Sequence, residues 1–394
     1  MSGLANGSWL ARRGGIDLDQ VRAAAGAVVE PEIGRPLAEL GLLGEVSAGA
    51  GGRVRVAVAL IVRDHPSADL LHRAVSAAAS SVPGVRRVEV EFTGLGTRAR
   101  VELADKLRSG TRPVTATPRI YAVASGKGGV GKSTVTANLA VALATNGQRV
   151  GVLDADVWGY SVPQLFGVRR APVALGGLML PVRAHGVALM STGFFVAEDT
   201  PIVWRGPMLH KALQQFLSDV YWGELDVLLL DLPPGTGDIT LSLLELVPDA
   251  ALLAVTTPQL AARTVASRVA TMAREANMPV AGVVENMTAA VCAACGHCTA
   301  LFGAGGGAAL AEQTGALLLG QIPLDVELRE AGDRGIPVVT ATPTAASAVE
   351  LTRIAGALPT ARRSLLHRPL PLFVGTPTKS ARRLMALGDP ANCD

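Results

Sequence analysis

From Arg119 to about Leu358 the chain repeats one rhythm: a short apolar run, a loop, then a helix-like stretch. "RIYAVAS", "RVGVLDAD", "DVLLLDLPP", "AALLAVTTP", "PVAGVVENM" and "GALLLGQIP" are the apolar runs. Short runs without polar alternation suit strands covered on both faces, and their alternation with helices predicts βα units in one parallel sheet, an α/β fold. The pattern ahead of it differs. "IDLDQVRAAAGAVV" reads as a helix capped by Asp17, "RVRVAVALIV" and "VRRVEVEF" alternate as half-buried strands, and "ADLLHRAVSAAASSV" has helical spacing. These define a small α+β domain over residues 16–97, preceded by a flexible leader at 1–15. Residues 98–118, rich in Arg, Thr and Pro, read as a linker to the domain at 119–358, and 359–394 form a tail outside the rhythm.

Composition agrees with helices packed on a parallel sheet: 49% of the 394 residues are hydrophobic and 18% charged. The net charge of +3 is too small to argue for a nucleic-acid partner, and it is concentrated in the tail, where six Lys/Arg face two Asp/Glu from Pro359 onward. No apolar run follows the arginines near the amino terminus, and none approaches the ~18 residues of a membrane helix. The expectation is a cytoplasmic protein without a membrane partner. In a reducing compartment, three of the four cysteines within seven residues (Cys292, Cys295, Cys298) argue for metal or redox chemistry rather than disulfides. Cys393 is expected to be exposed and without a role.

"SGKGGVGKST" follows one strand and opens a helix, the context in which G-x-x-x-x-G-K-[ST] binds phosphate. Across Gly126, Lys127, Gly128, Gly129, Val130, Gly131, Lys132, Ser133 and Thr134, the glycines let backbone N–H groups turn inward around phosphates. Lys132 is expected to neutralise the β- and γ-phosphates and Ser133 to ligate Mg²⁺. Asp231, at the end of "VLLLD", is the expected holder of the Mg²⁺ water, with the Gly235 N–H offered to the γ-phosphate. Asp154 and Asp156 end another strand, where a carboxylate orients the attacking water. Lys127 has no task in a generic loop of this kind.

"SGKGGVGKST", "DADVWGYSVP" and "DLPPGTGD" closely resemble the deviant Walker A ATPases of the Mrp/ApbC type, relatives of the ParA and MinD partitioning ATPases. The resemblance implies a P-loop NTPase fold with ATP as nucleotide. It also implies that Lys127 reaches across a homodimer to the partner's nucleotide, as an arginine finger does elsewhere. By the same resemblance Asn286 in "VVENM" contacts adenine, flanked by the strand end near Pro323. Lys127, Lys132 and Asp156 are then the catalytic set.

"VCAACGHCTALFGAGGG" follows directly. C-x-x-C grips one soft metal ion or cluster, a complete site wants about four thiolates, and a two-fold dimer giving two from each chain supplies them. The resemblance to the Mrp/ApbC family implies a [4Fe–4S] cluster bridging two subunits through Cys292 and Cys295, delivered to apo iron–sulfur proteins. Zinc on a shared set of four cysteines is the alternative metal. Where the family often has proline, Ala293 stands; Cys298 and the adjacent His297 are additions, either of them a ligand, an accessory donor or a bystander. "VVEPEIGRPLAELGLLGEV" and the flanking strands resemble the MIP18-type domain that precedes the ATPase in bacterial Mrp proteins. That domain usually carries a cysteine where Asp64 and His65 stand here, so it reads as a docking or regulatory module. The second functional reading, a ParA/MinD-like spatial-organising ATPase, would use the basic "KSARRLMALG" against membrane or DNA and leaves the cysteines without a role.

Overall fold

A computed structural model describes residues 16–109, 118–156, 159–195, 206–235, 240, 245–275, 278–291, 295 and 297–359. The expected leader, the expected tail from Thr360 onward, residues 110–117 of the expected linker, and Cys292 lie outside the described residues.

The first unit is a three-stranded sheet, β1 (Leu43–Gly49), β2 (Arg53–Leu60) and β3 (Arg87–Gly94), with β1 antiparallel and β3 parallel to the central β2. Alternation in β2 is strict: Val54, Val56, Val58 and Leu60 are buried, while Arg53 and Arg55 face solvent toward Glu89 and Glu91. The helix Leu18–Gly26 begins where the Asp17 carboxylate accepts from the Asp19 and Gln20 N–H groups, as its sequence predicts. The helix Ala68–Ser80 crosses between β2 and β3 and contributes Leu71, Val75 and Ala79 to the same core.

The second unit is built on β4 (Arg119–Ser125), β5 (Val150–Asp154), the hairpin β6 (Val173–Leu175) and β7 (Leu178–Leu180), then β8 (Val182–Ala184), β9 (Val187–Ser191), β10 (Val227–Asp231), β11 (Ala251–Thr256), β12 (Val280–Val291), β13 (Cys298–Thr299) and β14 (Leu318–Leu324). Outside the hairpin these form one sheet in the order β13-β12-β11-β4-β10-β5-β9-β8, with β14 also on β12. Only β8 and β13 run antiparallel to their neighbours; every other pair in this sheet is parallel, among the described residues. The apolar runs are continuous because both faces are covered. Tyr121, Val123, Val227 and Leu229 enter one core with the helix Lys132–Thr145. Ile120, Ala122, Leu228 and Leu230 enter the other, with Leu213, Phe216, Ala270 and Ala273. The parallel order brings the ends of β4, β5, β10 and β11 to one edge, and the polar loops follow there.

One reading is corrected. The segment taken as a linker is structured through Ser109: Thr97–Ser109 is a helix, with Leu103, Ala104 and Leu107 buried in the first unit's core. Its arginines hid a narrow apolar stripe, and Arg98 bonds Glu102 one turn on at 2.8 Å. That core does not stop at the first unit, because Val173, Leu175, Leu178 and Leu180 of the β6–β7 hairpin and Tyr221 belong to it. Polar contacts reinforce the joint. Arg170 pairs with buried Glu32 at 2.9 Å, the Arg183 Nε donates to the Glu32 carbonyl at 3.1 Å, and Arg100 donates to the Ala174 carbonyl at 2.9 Å. His65, where the MIP18-type cysteine would stand, is buried and hydrogen-bonded to Glu30 at 2.9 Å, whereas Asp64 is exposed. A test of the joint is Leu107→Ala. It is expected to lower unfolding free energy by about 2–5 kcal/mol in urea titrations, where a free linker residue would change it by less than about 0.5 kcal/mol.

Candidate functional site

The loop after β4 folds as its glycines require. Gly129 and Gly131 adopt φ of +80° and +82°, the left-handed region that disfavours side chains. At Gly131 a Cβ would also lie 2.3 Å from the Asn286 amide nitrogen, so the residue is fixed twice over. The helix starting at Lys132 directs its amino end at a cavity of about 580 Å³ lined by Gly128–Thr134, Asp156 and Pro233–Pro234.

Parallel register sets Asp231 of β10 directly beside Asp154 of β5, and both are fully buried. Lys132, itself 6% exposed, places its ammonium 2.8 Å from Asp231 and 4.0 Å from Asp156. Asp231 also accepts from Ser133 Oγ at 2.5 Å and from Thr136 Oγ1 at 2.9 Å. Ser133 and Asp231 are thus adjacent oxygens of the kind that hold Mg²⁺ directly and through water, which fits the expected cation. Two buried carboxylates share one close ammonium, and the imbalance falls on Asp154. Burial first, and the Asp231 carboxylate second, push its carboxyl up to about 8. Asp154 accepts from the Asp156 N–H at 3.1 Å and bonds Ser191 Oγ at 2.9 Å. It therefore braces the loop carrying Asp156 rather than facing the cavity lined by Asp156. Asp156 in turn accepts from the Gly159 N–H at 3.0 Å.

Gly235 corrects an expectation. Its N–H donates to the Ser125 carbonyl at 2.9 Å, so it ties the loop after β10 to the end of β4 instead of being offered to a phosphate. Lys127 is held within its own chain: its ammonium donates to Gln259 Oε1 at 2.7 Å.

A second cavity of about 390 Å³ shares Gly131, Thr134 and Ser161 with the first. Asn286, Met287, Pro323, Leu324, Leu165 and Leu328 line it, an apolar slot of the kind that accepts a planar base. Asn286 Nδ2 donates to the Val130 carbonyl at 2.9 Å, tying the slot to the phosphate loop.

β12 continues past this slot, and Val291 at its end pairs antiparallel with Cys298 of β13. Cys295 and Cys298 are exposed on the hairpin so formed, and Cys292 follows Val291 in sequence. His297 is exposed beside them. Among the described residues no three His, Cys, Asp or Glu side chains converge as a metal-holding group. The chain returns from this hairpin to the helix Gly306–Thr314, where the Gly307 N–H donates to buried Glu285 at 2.7 Å. A Cβ on Gly306 would lie 2.6 Å from the Pro258 carbonyl, next to Gln259. Sequence reasoning missed Thr136, Ser191, Gln259 and Glu285. Ser191 ends β9 and Gln259 follows closely on β11, which was the available signal for those two.

Residues 116–358 match the family described as NUBPL iron-transfer P-loop NTPase, and residues 18–92 match one described as iron-sulfur cluster assembly protein. A Mycobacterium tuberculosis protein named iron-sulfur cluster carrier protein is 47% identical over 365 residues, 89% of this chain and 96% of its own length. A Synechocystis protein of the same name is 40% identical over 346 residues, 86% of this chain and 96% of its own. Among solved structures, a nucleotide-binding protein from Archaeoglobus fulgidus in complex with ADP superposes with a TM-score of 0.51 at 37% identity, over 59% of this chain and 91% of that one.

Asp154 yields a pH test. Its folded-state pKa lies above the unfolded value, so between about pH 4 and pH 8 the folded chain holds an extra proton and stability falls as pH rises. Asp154→Asn, which reproduces the protonated acid's hydrogen bonds, is expected to match the parent's melting temperature near pH 4 and to exceed it progressively toward pH 8. Parallel melting curves for the two proteins would contradict the assignment.

Proposed function

Because the chain belongs to the iron-transfer P-loop NTPase family, we propose that it holds an iron–sulfur cluster on paired cysteines at a dimer interface and uses ATP to govern its delivery. The coarse function, iron–sulfur cluster carrier, agrees with both matched segments and with relatives of nearly full coverage. The spatial-organising alternative reduces to a shared fold superfamily, since the matched family is one of iron transfer.

The observation that carries the proposal is β12. The strand bears Asn286 against the phosphate loop and ends at Val291, five residues on, beside the cysteine hairpin. A stretch of that length spans at most about 18 Å even when fully extended, so the Asn286 contact and the cysteine hairpin lie close together on one strand. The other end of the cysteine loop is bonded to Glu285 of the same strand. A change at the base slot therefore has a direct route to the loop that carries the cargo.

In this reading Lys132 neutralises phosphate, Ser133 and Asp231 hold Mg²⁺, Asp156 orients the attacking water, and Lys127 of each chain serves the partner's nucleotide. Cys292 and Cys295 from two chains supply four thiolates to a [4Fe–4S] cargo, and apo iron–sulfur proteins receive it. Exposed Val291 and Leu301 flank the hairpin and offer apolar surface to a second copy. No helix among the described residues is long and apolar enough to cross a membrane.

Two experiments test this. Anaerobic reconstitution with iron and sulfide is expected to give a coloured dimer with about four irons, lost in Cys292→Ala and kept in Cys298→Ala. A colourless protein retaining zinc would sink the cluster assignment. Lys127→Ala is expected to bind ATP with parent affinity and to lose about 10³-fold in turnover, the scale of an arginine finger. Undiminished turnover would remove the intersubunit role.

A further inference from the structure

We infer that Gln259 is a positioning residue that parks Lys127 within its own chain and so sets how readily the lysine is released to a second subunit. The inference rests on the intersubunit reading of Lys127 and adds the element that controls it.

The geometry is specific. Lys127 and Gln259 are both half-buried, 132 residues apart in sequence, and joined by a bond of 2.7 Å. The atom facing the ammonium is the amide oxygen, the only acceptor a glutamine offers a cation. Neither partner is free to wander. Ser125 Oγ donates to the Lys127 carbonyl at 3.1 Å and fixes the loop backbone. Gln259 sits between β11 and the helix Leu260–Glu275, which lies so close to the loop that a Cβ on Gly126 would be 2.2 Å from the Ala266 nitrogen. A lysine side chain has several soft torsions and ordinarily samples many rotamers in solvent. Here one neutral acceptor selects the rotamer that keeps the charge at home.

The choice of glutamine is chemically informative. A carboxylate at this position would form an ion pair with Lys127, about twice as strong as a bond to a neutral acceptor, and would oppose departure. An apolar residue would leave the ammonium unrestrained. A neutral amide holds the lysine yet yields it when a partner's phosphates, carrying full negative charge, come within reach. Gln259 therefore acts before chemistry, on the equilibrium between resting and engaged lysine, and touches no reacting atom.

The test is ATP turnover per chain as a function of protein concentration, on the full-length protein, with affinity for a fluorescent ATP analogue measured in parallel. Gln259→Ala is expected to lower the concentration of half-maximal turnover by about threefold, and Gln259→Glu to raise it by about fivefold. ATP affinity should stay within about twofold in both. Gln259→Met, which keeps the side-chain stem, repeats the alanine test with less disturbance of packing and should shift in the same direction as alanine. Parent-like concentration dependence in all three variants, or shifts of glutamate and alanine in the same direction, would overturn the inference. Lys127→Ala separates the two levels. If it hydrolyses ATP like the parent, the intersubunit reading and this inference fall together. If it is inactive while the Gln259 variants behave like the parent, Gln259 alone is misassigned.

Discussion

Two fully buried carboxylates and one buried ammonium at the ends of neighbouring strands constrain this molecule most. Asp154 and Asp231 are brought side by side by parallel register, and Lys132 pairs with only one of them. Like charges so placed cannot both be ionised cheaply away from water, so the pair separates into two roles. Asp231 gathers Lys132, Ser133 and Thr136. Asp154 takes up the proton and becomes a brace for Asp156 and for Ser191 at the end of β9. The same crowding of charge readies the site for a phosphate-bound cation, because Ser133 and Asp231 already converge where Mg²⁺ would be held.

The second organising element is β12. Its inner part is an ordinary buried strand, with Val283 and Val284 inaccessible on both sides of the sheet. Its outer part carries Asn286 to the phosphate loop and then the cysteine hairpin into solvent. Met287 adopts a φ of +60°, uncommon for a residue with a side chain, where the strand leaves the base slot. Glu285 closes the arrangement by capping the returning helix from within the sheet. Two adjacent buried residues of β12 thus tie the strand to the phosphate loop, through Asn286, and to the helix after the cysteine hairpin, through Glu285.

The first unit is less separate than its sequence implies. Leu103 and Leu107 on one side and the β6–β7 hairpin on the other complete its core, and Arg170 and Arg183 grip the loop at Glu32 and Ile33. A small sheet gains from this, since three strands and two helices bury little apolar surface on their own. The hairpin belongs to the segment that follows Ser161, whose residue borders both cavities. Ile33, Arg35 and Glu39 of the first unit line a cavity with Gln148, Arg149 and Val150, so this unit adjoins the start of β5, at the opposite end of the strand from Asp154.

What the sequence determined by itself were the features whose chemistry lies in contiguous residues. The glycine loop with its two lysines, the aspartates closing apolar strands, the helix capped by Asp17 and the spacing of Cys292, Cys295 and Cys298 each need only a few neighbouring positions to be read. The α/β rhythm was legible for the same reason, because burial of both sheet faces writes itself into each strand separately. Tertiary structure alone decided what depends on residues far apart in the chain. The proton on Asp154 is set by its burial and then by Asp231, the resting place of Lys127 by Gln259, and the donor role of Gly235 by Ser125. The helix at Thr97–Ser109 was hidden because its stripe of Leu103, Ala104 and Leu107 is too narrow to outweigh its charges until a core lies beneath it. Local pattern reports which surface a residue prefers; only the folded chain supplies the partner that decides its charge state and its hydrogen bond.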